Sequence, residues 1–287
     1  MRLLFFLLFL IPATFTRAQY HYYFGNIHAH TAYSDGNVDS SSTGITRPGQ
    51  AYDYAKQSYH MDFLGISEHN HFNATNNPGM HRTDYANGIF QADTANRNGS
   101  FVCLYGMEWG VISNGGHLVT YGIPGLVGWE TGSGLWGGSD NYDIYCWKYD
   151  YSRFWQIVNS YPYGFCTLAH PQTGDYNDLF GTALYDVSAD SAIAGVAIRS
   201  GSAFSNTTDY SDPAPTSYET VYKKMLAKGY QVGPTCDQDN HYSTYGRTSR
   251  IRTVVLAQSL HRDSILAAYK ALRFYASEDW DTQVDFN

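Results

Sequence analysis

Five short stretches of this chain carry side chains able to bind a divalent cation: His28-Ala29-His30, Glu68-His69, Glu108, His170 and Asp239-Asn240-His241. Histidine supplies a neutral imidazole nitrogen and the acids an anionic oxygen, a donor set that suits Zn2+, Mn2+ or Fe. Alternate residues of an extended chain face the same way, so the two rings of His28-Ala29-His30 share a face, and so do Asp239 and His241. A single His-x-His is a weak signal. Five such stretches, each at the end of an apolar run, are not explained by satisfied core histidines or by surface charge. A cation held on such donors acidifies water and polarises an ester oxygen, so the chemistry indicated is metal-assisted hydrolysis.

Convergence of residues so far apart requires a particular kind of fold. Strand-like runs occur at 22–28, 62–67, 101–107, 117–123, 164–169, 193–198 and 252–257, with a further strand end at 231–234. Helical patterns occupy 49–57 (after Pro48), 83–95, 152–159, 217–228 (closed by Gly229) and 263–273 (with Asp263 as its cap). Strands alternating with helices predict an α/β fold with a parallel sheet, open or closed into a barrel. The loops beyond the strand C-termini of such a sheet meet at one face, where the candidate ligands would collect. Two long loops, 124–150 and 202–216, are of a length usually tied to function or mobility.

The N-terminus reads separately. Arg2, an apolar run from Leu3 to Ile11 and Thr16-Arg17-Ala18 form a signal peptide over 1–18, too short for a membrane span. The expectation is a secreted or periplasmic protein with one domain over 19–287 and no stable membrane insertion. Removal of residues 1–18, with Arg2 and Arg17, takes the 287 residues to 269 and the 18 Lys and Arg to 16, against 26 Asp and Glu. So acidic a chain is not expected to bind nucleic acid generally through a basic surface. The four cysteines permit one or two disulfides, although Cys103 and Cys166 lie in apolar runs where a buried thiol is commoner. The 26 tyrosines are expected mainly on a wet surface or groove.

FGNIHAHTAYSDG, ISEHN, GMEWG, LAHP and DQDNH, in that order, resemble the polymerase and histidinol phosphatase (PHP) superfamily of metal-dependent phosphoesterases. Within it the chain looks most like the exported, carbaryl-hydrolase-like branch. The resemblance covers nearly all of residues 19–287 and implies a distorted, TIM-like barrel of seven strand–helix units with its metal site at the strand C-termini. It also implies two or three divalent ions. His28, His30, Glu108 and Asp239 would hold the first. Glu108 would bridge to a second shared with His117 and His170. Asp35, His69 and His241 would hold a third, with Asp35 standing where other members have His.

Glu68 is either an orienting partner for a ligating imidazole or a loop cap. His71 repeats the His-x-His spacing with His69 but falls outside the family pattern, and Asp237 competes with Asp239. Arg82, Arg199 and Arg247 are candidates to clamp a phosphate. The reaction expected is hydrolysis of a phosphomonoester or phosphodiester by a hydroxide bridging two metals at Glu108, with Asp239 or His241 protonating the leaving group. The substrate would be a small phosphorylated or ester molecule. The alternatives are a carboxyl or carbamate ester hydrolase with the same metals, and a secreted glycan- or peptide-binding module with structural metals. The final segment, DWDTQVDFN, alternates as the start of a strand would.

Overall fold

The computed structural model describes residues 19–72, 78–112, 115–130, 141–212 and 216–285. The N-terminal apolar run and the middle of the first long loop lie outside the described residues. Twelve strands are described: β1 (His21–Asn26), β2 (Phe63–His69), β3 (Val102–Val111), β4 (Gly116–Tyr121), β5 (Val127–Gly128), β6 (Ile144–Tyr145), β7 (Phe165–Ala169), β8 (Ile193–Ser200), β9 (Thr216–Ser217), β10 (Gly233–Asp237), β11 (Arg252–Ala257) and β12 (Phe274–Ser277). The helices are α1 (Ser40–Thr43), α2 (Pro48–Ala55), α3 (Arg82–Ala95), α4 (Tyr151–Asn159), α5 (Asp175–Asp178), α6 (Val187–Ala192), α7 (Glu219–Ala227) and α8 (Arg262–Lys270).

The main sheet runs in the order β10-β8-β7-β4-β3-β2-β1-β11-β12, with β9 beside β8. It is mixed, not parallel as the strand–helix alternation predicts. Only four residues join β3 to β4, too few for a crossover, so these strands pair antiparallel, and β4 then meets β7 antiparallel as well. β11 likewise lies antiparallel to β1. The expected seven strand–helix units are therefore replaced by a curled sheet. Its β10 end reaches β11 through a side chain: Thr253 Oγ1 accepts from Cys236 N at 2.9 Å and donates to Cys236 O at 3.1 Å. A hydroxyl has both a donor and lone pairs, so one side chain serves both backbone groups of the bulged β10 residue.

The central strands are covered on both faces. All seven residues of β2 are buried. Leu64 and Ile66 join the larger core cluster with Ala51, Tyr52, Tyr85 and Ala92 of α2 and α3, whereas Phe63 joins the inner cluster with Val119, Phe165 and Tyr269. Most tyrosines are partly or fully exposed, as the composition predicts, but a buried minority has a structural role. Tyr52, Tyr85, Tyr121, Tyr151, Tyr176 and Tyr245 are buried, and their hydroxyls donate to the carbonyls of Leu104, Ile123, Ile27, Gly116, His117 and His30. A mixed sheet with bulges leaves carbonyls off the ladder, and a rigid aromatic arm with a polar tip is well suited to reach them. The last expected strand is absent among the described residues: 281–285 is irregular.

Arg252 secures the rear of the loops that follow β10. It is fully buried, and its guanidinium donates to the carbonyls of Tyr59, His60, Gly246, Ser249 and Ile251 at 2.7–3.2 Å. Burial lowers its pKa to about 10, so the charge persists at neutral pH and every donor is used. Replacement by Met should leave these carbonyls unpaired and cost about 3 kcal/mol or more. In a chain of this size the midpoint of thermal unfolding should then fall by about 6–12 °C. Lys, with a point charge instead of a planar fork, should not restore it. A calorimetric shift below about 2 °C for either variant would show that Arg252 does not fasten these loops.

Candidate metal centre

Strand register places the site. In β2 and β3, His69 lies opposite Glu108. In β3 and β4, Gly110 lies opposite His117, so His117 stands one step of alternation from the partner of Glu108, on the same face. His117 is in turn opposite Ala169, which brings His170 to the same edge. On the other side, the segment after β1 lies between β2 and the 239–241 segment. Ala29 bridges to Asn240 in parallel, Asp239 N donates to His28 O, His30 N donates to Asn240 O, and Ser67 N donates to Ala29 O. His28, His30, Asp239 and His241 thereby interleave. A slip of one residue in any of these pairings would turn a ligand to the opposite face. His170 and Asp239 have φ of 31° and 54°, a left-handed conformation that is costly for a side-chain-bearing residue. Such strain concentrates at sites where geometry serves function.

Among the described residues, four groups could each hold a cation: His28, His30, Glu108 and Asp239; Glu108, His117 and His170; His30, His69 and His241; and His69, His71 and His117. The first two groups reproduce the sets implied by resemblance. The third has His30 in place of the expected Asp35, which lies outside the group, 3.3 Å from His241 Nε2 and 3.6 Å from His69 Nε2. His71 enters the fourth group, although the motif pattern leaves it out. The groups share members, and a neutral imidazole has one lone pair, so they are not all independent positions.

The spacing fits a cation. Donors 2.0–2.2 Å from one ion lie roughly 2.8–3.6 Å from each other, the shorter end in octahedral and the longer in tetrahedral coordination. His28 Nε2 lies 3.3 Å from His30 Nε2, 3.0 Å from Asp239 Oδ1 and 3.2 Å from Glu108 Oε1. His30 Nε2 lies 3.0 Å from Asp239 Oδ1 and 3.3 Å from Glu108 Oε2. His117 Nδ1 and His170 Nε2 stand 2.9 and 3.0 Å from Glu108 Oε1. Several of these atoms, including Glu108 Oε2, His69 Nδ1 and both ring nitrogens of His117, accept and donate no hydrogen bond although buried. Close approach without hydrogen-bond direction is what donors converging on a shared ion would show.

Charge makes the same demand. Glu108 is fully buried within 3.3 Å of five imidazoles. Burial would raise its pKa, but His117, His28 and His69 hold it well below the usual carboxylate range. Burial would lower His28, but Asp239 and Glu108 outweigh it and raise the imidazole to about 10. Asp239 is likewise held low against its burial by His28 and by hydrogen bonds from His28 and His30. The carboxylates thus require positive charge from their surroundings, which divalent ions would supply.

Glu68 shows how the ligands are oriented. Its carboxylate accepts from Thr31 N at 3.0 Å, from the Thr31 hydroxyl, and from Ser34 Oγ at 2.5 Å, and burial pushes its pKa up to about 7. It caps the 31–34 turn, and its nearest approach to His30 is 3.9 Å. Ser34 Oγ, 3.4 Å from His30 Nδ1, is the link between them, so that His30 can present Nε2 to the site. His241 is fixed similarly, with Nδ1 2.9 Å from the Asp239 carbonyl and Nε2 toward Asp35. Ser34 lies within FGNIHAHTAYSDG but is not a ligating residue type, so spacing of ligands alone misses it.

No protein-family model matches the chain, and no curated protein matches it. Among solved structures the chain is similar to a two-domain protein containing a predicted PHP-like metal-dependent phosphoesterase from Bacteroides vulgatus ATCC 8482. The TM-score is 0.54 over 90% of this chain and 65% of that one, at 14% identity. The mixed, curled sheet is consistent with a PHP-like fold. This chain spans just under two thirds of the neighbour's length, and at such identity the likeness is one of fold.

Other expected residues lie elsewhere. Arg199 pairs with Glu219 and Glu278 at 2.7 Å, Arg82 lies 3.7 Å from Asp143, and Arg247 stacks on Tyr54. None of the three lines the cavity beside the cluster, because each guanidinium has nearer partners. Asp237 is buried but belongs to no ligand group; burial raises it to about 6, and Thr235 Oγ1 donates to it. All four cysteines are buried free thiols, so neither permitted disulfide forms.

As-purified protein should contain divalent metal by elemental analysis, and Glu108→Ala should lose most of it while Arg82→Ala keeps it. Chelation of the parent protein should lower its unfolding midpoint by about 5–10 °C, reversibly on re-addition of metal. Unchanged metal content in Glu108→Ala would remove Glu108 from the centre.

Proposed function

We propose that this chain is a metal-dependent hydrolase of phosphate esters. The observation that carries the reading is that buried Glu108 belongs to two ligand groups, and that His170 and Asp239 of those groups form part of the wall of an open cavity of about 650 Å3. The PHP-like fold of the neighbour, described as a predicted metal-dependent phosphoesterase, supports it.

Bound cations would supply Lewis acidity, polarising the phosphoryl oxygen and lowering the pKa of coordinated water toward about 7. His28, His30, Glu108 and Asp239 would hold one ion, and Glu108, His117 and His170 another. Ser34 and Glu68 keep His30 in the orientation that offers Nε2. Asp239, which lines the cavity, commits Oδ1 to His28 and His30, while Oδ2 lies 4.0 Å from His170 Nε2 and is the oxygen left to take or return a proton. His241 is better suited to holding an ion through Nε2 than to protonating a leaving group, because its Nδ1 is bonded to the Asp239 carbonyl.

The same donors would serve a carboxyl or carbamate ester, as in the carbaryl-hydrolase-like branch. Metal-loaded protein should therefore be assayed on p-nitrophenyl phosphate, bis(p-nitrophenyl) phosphate and p-nitrophenyl acetate. A phosphate substrate should be cleaved with the highest kcat/KM, and Glu108→Gln should reduce that rate by about a thousandfold or more. Turnover of the acetate alone would replace phosphate with a carbonyl ester, and turnover of none would remove the hydrolase reading.

A further inference from the structure

The cavity beside His170 and Asp239 is far larger than a phosphoryl group and falls in the size range of pockets that enclose whole small molecules, roughly 300–1,000 Å3. It must therefore receive the remainder of the substrate. Its walls combine apolar groups, among them Ile112 and Ala203, with a row of neutral hydrogen-bonding side chains. Ser200, Ser202, Ser205, Thr216 and Tyr218 contribute hydroxyls, and Gln172 contributes an amide. Phe204, which packs on the His241 ring at 4.6 Å, adds an exposed aromatic face.

Charge on the wall is negative. Asp212 lines the cavity and has no ion-pair partner among the described residues, and its Oδ2 accepts no hydrogen bond. No Lys or Arg lines the cavity. The segments outside the described residues after residue 18 contain neither Lys nor Arg. The nearest cation along the chain, Arg199 beside Ser200, is held by Glu219 and Glu278.

We infer that this cavity selects esters whose alcohol portion is uncharged and hydroxylated, a polyol or sugar, and that Asp212 is the residue that rejects an anionic one. The inference rests on the proposed phosphate-ester hydrolysis, with the reacting phosphate at the cation cluster and the alcohol in the cavity. A second negative group there would lose its water, find no cation and face Asp212, an arrangement that discriminates by repulsion. A hydroxylated alcohol instead meets a wall of hydroxyl and amide partners, with an aromatic face for its C–H side.

The test compares two phosphomonoesters that differ by one charge in the alcohol portion: glucose 6-phosphate and 6-phosphogluconate, on metal-loaded protein. The parent should favour glucose 6-phosphate by about tenfold or more in kcat/KM. Asp212→Asn should narrow that preference by about threefold or more, chiefly by improving KM for the gluconate, while Asp212→Glu keeps it. Thermal melting establishes that both variants are folded. Equal rates on the two substrates, preference for the gluconate, or a preference unchanged in Asp212→Asn would each overturn the inference. Cleavage of p-nitrophenyl phosphate with neither sugar phosphate cleaved would overturn it and leave the proposed function standing; cleavage of none would overturn both.

Discussion

A carboxylate buried among imidazoles is the constraint from which the rest of this molecule follows. An isolated charge at the depth of Glu108 is prohibitively costly, and a carboxylate so placed persists only if opposite charge is fixed around it. Here five imidazoles surround it from four elements: the segment after β1, which supplies two, the end of β2, β4, and the turn after β7. Imidazole alone is neutral above its usual pKa, and the upward pull of Asp239 and Glu108 on His28 expresses the same deficit of positive charge. Divalent ions meet the same deficit with more charge in less space. Metal demand is thus a property of the electrostatics of the fold as well as of the residue types present.

Register converts that demand into geometry. Pairing of His69 with Glu108, of Gly110 with His117 and of Ala169 with His117 leaves each ligand little freedom once the sheet has formed. The backbone departs from regularity at His170 and Asp239, where positive φ turns the chain back over the sheet edge. Buried tyrosines take carbonyls in and beside the sheet, and Arg252 takes those of the loops behind it. Rigid support of this kind holds side chains within the few tenths of an ångström that coordination requires.

Much of this was legible in the amino-acid sequence, for identifiable reasons. Ligand stretches at the ends of apolar runs are a local signal, and all nine candidate positions lie in or beside the cluster. Topology was less legible: the alternation of strands and helices does not say that a four-residue connection turns β4 antiparallel, nor that Thr253 rather than a ladder meets β10. The arginines at 82, 199 and 247 do not line the cavity: phosphate affinity is a property of residue type, whereas placement depends on partners distant in sequence, such as Glu219 and Glu278 for Arg199. Ser34 lies in a motif without being a ligand type, and Asp212 lies in none. Their roles arise only from what the fold brings beside them.

Anomalous scattering measured across the Mn, Fe and Zn absorption edges on crystals of the protein tests the central claim most directly. At least two anomalous peaks should lie at the cluster, both about 2.0–2.3 Å from oxygens of Glu108, one also against His28, His30 and Asp239 and the other against His117 and His170. Glu108 without a neighbouring peak in protein shown to be metal-loaded, or peaks confined to other parts of the molecule, would contradict it.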